Sequence, residues 1–182
     1  MTYIADIVLY LLIFSILFQK YLFYLGCKSK NCTLTHSKLK YILIINRVLS
    51  YILILSYVKL AYGSIFHSYL IYNILAAFFI AVGQYLNLMV YHKIGVDNVY
   101  YGLEYQVNNN KNVYLSEFPF NLHHPQYIGC IITLVGLFFL IGFNKNGSIR
   151  KGLFILMIFV SATYVFSIIT ESNCVIKTCK GK

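Results

Sequence analysis

Between two long apolar runs lies Phe118-Pro119-Phe120-Asn121-Leu122-His123-His124-Pro125-Gln126-Tyr127-Ile128-Gly129, a polar stretch whose residue types suit chemistry. Its two prolines, six residues apart, forbid a continuous helix and predict extended geometry at the residue before each. Tyr127 then opens the following helix, so the stretch reads as a shaped backbone at a membrane surface. Histidine titrates closest to working pH, which makes His124 a candidate proton acceptor. His123-His124 also raises the alternative of a metal site. No carboxylate stands at a fixed spacing from the pair, so no metal is expected, and His123 is read as an interfacial polar residue. Two acids draw notice elsewhere. Glu171 ends the last apolar run below a stripe of Thr163, Ser167 and Thr170, and Glu104 lies with Glu117 among Tyr100, Tyr101, Tyr105 and Tyr114.

The elements that must position these groups are membrane helices. Of 182 residues, 59% are hydrophobic and only 11% charged, with 18 Tyr, 14 Phe and no Trp, which excludes an ordinary water-soluble domain. The expected fold is all-α: one polytopic integral membrane bundle over 1–182, of four to five transmembrane or intramembrane helices, with a C-terminal helical hairpin. Apolar segments run over roughly 4–25, 41–62, 68–91, 127–143 and 152–170, each near the ~20 residues a span needs. Gln19 and Lys20 interrupt the first, which predicts that it lies partly in the interface; it is read as retained rather than cleaved. Lys20, and Arg47 and Lys59 in the second segment, are read as snorkelling stems.

The net charge of +10 comes from short loops, not from a basic domain, so no nucleic-acid partner is expected. By segment parity nine lysines (28, 30, 38, 40, 93, 111, 177, 180 and 182) share one side, against Lys145, Arg150 and Lys151 on the other. The positive-inside rule then places the loop of 26–40, the region of 92–126 and the C-terminal tail in the cytosol, together with the motif and Glu171. Cys27, Cys32, Cys174 and Cys179 fall on that reducing side, so neither disulfides nor a four-cysteine metal site is expected.

On the third segment Asn73, Ala77, Gln84, Asn87 and Tyr91 share one helical face beside Gly83, a pattern that also serves as glue between membrane helices. The low-complexity run of 107–112 reads as a loop. The last two segments, joined by 144–151, would bring the motif and Glu171 together.

The order Phe118-Pro119-Phe120-Asn121, then Pro125, Tyr127 and Gly129, resembles the signature of the phospholipid methyltransferases, the phosphatidylethanolamine N-methyltransferase family. Its core is similar to the His-Pro-x-Tyr motif of the wider superfamily that includes isoprenylcysteine carboxyl methyltransferases. The resemblance covers about 70–172. It implies S-adenosylmethionine as methyl donor and a phospholipid amine from the bilayer as acceptor, at the endoplasmic reticulum, yielding phosphatidylcholine. It further implies that Val82, Gly83, Pro125, Tyr127, Glu171 and Ser172 hold the donor, with His124, Glu171 and Glu104 as candidate general bases. The chain departs from the family pattern at Ala81, where a glycine is expected, and at Ser172, where a second acid is. Two alternatives stand beside this reading: an isoprenylcysteine carboxyl methyltransferase, and a non-catalytic scaffold that has lost donor contacts.

Overall fold

A computed structural model describes residues 2–28, 32–66, 69–99, 118–122 and 124–179, by backbone alone at 2, 23–28, 32–37, 97–98 and 170–179. Among these residues the chain is helical: α1 (Thr2–Lys28), α2 (Cys32–Tyr62), α3 (Leu70–Val99), α4 (Pro125–Ile141) and α5 (Lys151–Cys179). Four of them carry stretches long and apolar enough to cross a membrane, Tyr3–Leu22, Lys38–Tyr62, Leu70–Val96 and Lys151–Ile169, while α4 is a shorter apolar helix. In hydrocarbon every backbone N–H and C=O must bond within its own segment, which selects helices. Side chains such as Phe14, Ile45, Phe78 and Phe166 stay exposed, as lipid-facing residues do.

The helices assemble as two pairs, α1 with α2 and α3 with α4, and α5 packs against α4 and α1. Leu12, Val58 and Leu153 are fully buried where α1, α2 and α5 meet. The first segment, read from sequence as partly interfacial, is long and apolar enough to cross a membrane and packs into the bundle. Helix α1 turns Ala5, Leu12, Ser15 and Ile16 inward. A buried polar latch fixes it to α2: Ser15 Oγ donates to Asn46 Oδ1 (2.9 Å), and Asn46 Nδ2 donates to the Ser15 carbonyl (2.9 Å). In an apolar medium these groups have no better partner than each other, which sets the register of the pair.

Helices α3 and α4 meet through glycine. A Cβ on Gly83 would lie 2.6 Å from the Gly129 carbonyl oxygen, and one on Gly129 would lie 2.8 Å from the Gly83 carbonyl oxygen. Only with both side chains absent can the backbones come this close. Further along the seam Gly136 faces Ile80 and the Ala76 carbonyl. Helix α3 continues past its expected end and breaks at Gly95 (φ 80°, ψ 160°).

One end of the bundle is tied by Arg150, which is 1% exposed. Its guanidinium donates to the carbonyls of Ile141 (2.8 Å), Ser64 (2.8 Å) and Ile65 (3.0 Å) and lies 4.9 Å from the Tyr62 ring centroid. Burial lowers its pKa from the ordinary value, the charge interaction with Tyr62 opposing this. A guanidinium nevertheless stays protonated. Segment parity groups Arg150 with the loop charges of that side. Its charge serves instead to close the ends of α2 and α4 over the start of α5.

Candidate active site

The motif lies at the opposite end. Phe120 packs with Leu39, Leu43, Val90 and Val99, so the start of α2 and the end of α3 are gathered there. Residues 119–122 form a turn closed by the Leu122 N–H on the Pro119 carbonyl (3.0 Å), and the Phe118–Pro119 peptide is cis. His123 lies outside the described residues. His124 does not take the extended geometry that its proline predicts. It adopts φ 53°, ψ 59°, in the left-handed region. Proline disfavours the right-handed region for the residue before it, and histidine tolerates the left-handed one better than most side chains. The bend turns the His124 carbonyl into the helix, where it accepts from the N–H groups of Tyr127 (3.0 Å) and Ile128 (3.2 Å). Helix α4 therefore opens at Pro125, two residues earlier than expected, with the proline in the first turn where its missing N–H costs nothing.

From that opening an aromatic chain runs into the bundle. The His124 and Tyr127 ring centroids are 6.1 Å apart, and those of Tyr127 and Tyr164 5.8 Å. Tyr164 lines a cavity of about 310 Å³ to which all five helices contribute. That volume is at the small end of the roughly 300–1,000 Å³ of ligand pockets. One wall carries Lys20 and Arg47; the facing wall carries Gln84, Asn87, Gln126, Cys130 and Thr133. The amide wall is braced across the glycine seam, for Gln84 Nε2 donates to Thr133 Oγ1 (3.0 Å), which donates in turn to the Gly129 carbonyl (2.8 Å). The face read as glue on α3 both packs and lines the cavity.

Lys20 and Arg47 are the residues that the sequence reading missed. Both line the cavity. Lys20 Nζ donates to Ser167 Oγ and sits 5.2 Å from the Tyr164 ring centroid, and Arg47 faces the cavity. The signal was present in the sequence: Ser50, one turn beyond Arg47, and Gln19, beside Lys20, extend a polar face on each helix. Among the described residues that line the cavity there is no carboxylate, and none gathers three His, Cys, Asp or Glu side chains as a metal would require.

The expected donor residues divide. Pro125 and Tyr127 are buried at the start of α4 and are not among the residues that line the cavity; Tyr127 borders it through its contact with Tyr164. Gly83 is covered by α4 backbone, and Val82 is 37% exposed and absent from the cavity lining. Glu171 and Ser172 belong to α5 by backbone, their side chains lying outside the described residues, and Glu104 with its neighbouring tyrosines lies outside them altogether. The side chains of Cys27, Cys32, Cys174 and Cys179 are likewise outside; Cys130 is a free thiol.

Comparison with known proteins adds a decisive observation. The sequence profile of the phospholipid methyltransferases matches residues 71–179, from the start of α3 to the end of α5. The chain belongs to the phospholipid methyltransferase family. Over 57 residues it is 40% identical to the phosphatidyl-N-methylethanolamine N-methyltransferase of Arabidopsis thaliana, a stretch that makes up 30% of this chain and 32% of that relative. The match thus spans about a third of the relative's length. No solved structure matches.

Proposed function

We propose that this phospholipid methyltransferase transfers a methyl group from S-adenosylmethionine to the amine of phosphatidylethanolamine or its mono- and dimethyl forms, towards phosphatidylcholine. The observation that carries the reading is the juxtaposition of the motif at the start of α4 with a cavity inside a membrane bundle that carries amide, hydroxyl and cationic side chains. The name of the plant relative supports the choice of acceptor. When bound, the donor supplies an electrophilic methyl group on a sulfonium. The acceptor nitrogen forms the new N–C bond as the S–C bond breaks, and the ammonium proton leaves beforehand.

The residues fit such a donor in part. Tyr164, which lines the cavity and packs against Tyr127, supplies an aromatic ring of the kind that attracts a sulfonium by cation–π interaction. Gly83 does not fit as a backbone contact, because α4 occupies the space beside its Cα. His124, whose ring lies 6.1 Å from that of Tyr127, is the proposed acceptor of the proton that the amine must lose. Glu171 and Glu104 stay as the other candidate bases, and Glu171 with Ser172 as donor contacts. Transfer of this kind needs little covalent help; the bundle contributes orientation and a site with little water. The motif end is read as facing the cytosol, from which a soluble donor arrives, with the endoplasmic reticulum as the membrane.

The test is methyl transfer from labelled donor by membranes that contain the chain, given phosphatidylethanolamine and its mono- and dimethyl forms separately, with His124→Gln and Glu171→Gln alongside. Product that falls ~100-fold or more in a variant supports the reading and identifies the base. Folded protein that yields no product and binds no donor refutes it and favours the scaffold.

A further inference from the structure

The five helices close round the cavity on every side but one. Helix α1 packs on α2, α3 on α4, and α5 on both α4 and α1, so that in the order α2, α1, α5, α4, α3 each helix has a seam with the next. Helices α2 and α3, at the two ends of that order, share no comparable seam among the described residues. They meet at the motif end, where Leu39 and Leu43 cluster with Val90 and Val99. Deeper in the bundle both still line the cavity, α2 with Ser50, Tyr51 and Ile54 and α3 with Gln84 and Asn87.

Exposure marks where the cavity reaches the outside. Of the described residues that line it, only Tyr51 on α2 and Gln84 on α3 are exposed, Tyr51 to 49%. Each belongs to a helical row that faces lipid. Val48 and Leu55, three before and four after Tyr51, are 54% and 46% exposed, and Leu88, four after Gln84, is 65% exposed. The chamber therefore opens sideways, between the two helices that are not sealed together. A phenol and an amide form the edges of the opening, and the bond from Gln84 Nε2 to Thr133 holds the second edge in place.

Size calls for such an opening. The chains of a diacyl lipid each reach about 15 Å, half of a ~30 Å hydrocarbon core, and a chamber of about 310 Å³ cannot hold two of them beside a headgroup. Drawing them in would bring no gain either, because lipid tails are as apolar as the side chains they would meet. We infer that the gap between α2 and α3 is the lateral portal of the acceptor phospholipid, whose headgroup occupies the cavity while its chains stay in the bilayer, passing out between Tyr51 and Gln84. This rests on the phospholipid reading above.

The chain has no Trp, so one introduced at the portal reports alone. Tyr51→Trp is the first probe and Leu55→Trp, in the same row, the second. Phe14→Trp is the control: Phe14 is 65% exposed on α1 and stands at the same level, since the Oγ atoms of Ser15 and Ser50, the neighbours of Phe14 and Tyr51, lie 2.9 Å apart. Each full-length variant, its helicity checked by circular dichroism, is reconstituted in phosphatidylglycerol vesicles that contain rising fractions of phosphatidyl-N-methylethanolamine or phosphatidylglycerol with brominated chains, and Trp quenching is followed. The brominated amine lipid is expected to half-quench both portal probes at about a tenth of the fraction that Phe14→Trp requires, whereas brominated phosphatidylglycerol quenches all three alike. Amine-lipid quenching no stronger at the portal than at Phe14 overturns the inference, as does a portal Trp that brominated chains do not reach. The same preference shown by brominated phosphatidylglycerol overturns the acceptor assignment in favour of a groove for lipid chains of any headgroup. Methyl transfer by wild-type membranes separates the two readings. Preferential quenching without methylated product refutes the methyltransferase reading and leaves the portal standing. Product without preferential quenching does the reverse.

Discussion

Gly83 offers the sharpest separation of two roles that one glycine can play. Family resemblance makes it a donor contact, whereas the structure sets it in the α3–α4 seam. In Gly83→Ala the new Cβ would lie 2.6 Å from the Gly129 carbonyl oxygen and 2.7 Å from the Thr133 nitrogen, with Thr133 Oγ1 closer still. Two of these neighbours are backbone, so no rotamer change relieves them, and the helices must part by most of an ångström. That separation stretches the 3.0 Å bond from Gln84 to Thr133 past hydrogen-bond range. Overpacking of this kind costs about 1–3 kcal/mol, and an interhelical hydrogen bond in a membrane adds ~0.6 kcal/mol. The expected loss is therefore about 2–4 kcal/mol. It would be read from denaturant titration of the detergent-solubilised chain followed by circular dichroism, with donor binding measured on the fraction that stays folded. Ala81→Gly is the control, since Ala81 is exposed and its loss costs only the helix propensity of about 1 kcal/mol. A Gly83→Ala protein with unchanged stability and abolished donor binding would refute the packing argument and return Gly83 to the donor.

Replacing Arg150 by Met leaves three carbonyls without their donor, and a loss of at least ~3 kcal/mol in the same titration is expected; a smaller effect would mean that water reaches that end. His124→Gly removes the side chain but suits φ 53°, so it should match or exceed wild-type stability while methyl transfer falls; His124→Ala, left with the left-handed strain of ~1 kcal/mol, should be the less stable of the two by thermal melting. Asn46→Ala breaks the latch to Ser15 and should cost about 1 kcal/mol, and an unaltered melt would show that the α1–α2 register is set elsewhere.

The bundle was legible because hydropathy alone dictates it: a segment with no polar outer face has no alternative but to bury its backbone bonds in a helix. Segment ends were less so. Helices α2, α3 and α5 run past their apolar stretches, since helical hydrogen bonding does not stop where hydropathy does. The motif could be found from its prolines, yet His124 took the conformation that the pre-proline rule makes unusual. That Lys20 and Arg47 line a cavity was not legible, because snorkelling is a rule about distance from the helix end. Whether such a side chain reaches water or a cavity depends on which helix lies beside it, and the packing of α1 against α5 is not written in either segment alone. Gly83 was legible as a special position and illegible as to why, for a missing Cβ serves a ligand and a neighbouring backbone equally.

The two pairs of helices divide the cavity between them, and α5 sets the distance across it. The α3–α4 seam is fixed by backbone contact at Gly83 and Gly129, so the amide wall has almost no freedom. The α1–α2 pair is held by the Ser15–Asn46 latch, which fixes its register but leaves its distance from the other pair undetermined. Helix α5 reaches both: Tyr164 meets Tyr127 of the motif at 5.8 Å, while Ser167, one turn along, accepts from Lys20. The contact at the motif and the contact at the cation are thus made by one turn of one helix. A ligand drawn to Lys20 and a ligand drawn to Tyr127 would each bear on the same turn, so the two contacts are linked through α5 even if the ligands never touch. Closer to its end the same helix carries Glu171, so a displacement of α5 would move the candidate acid along with Lys20 and the tyrosine.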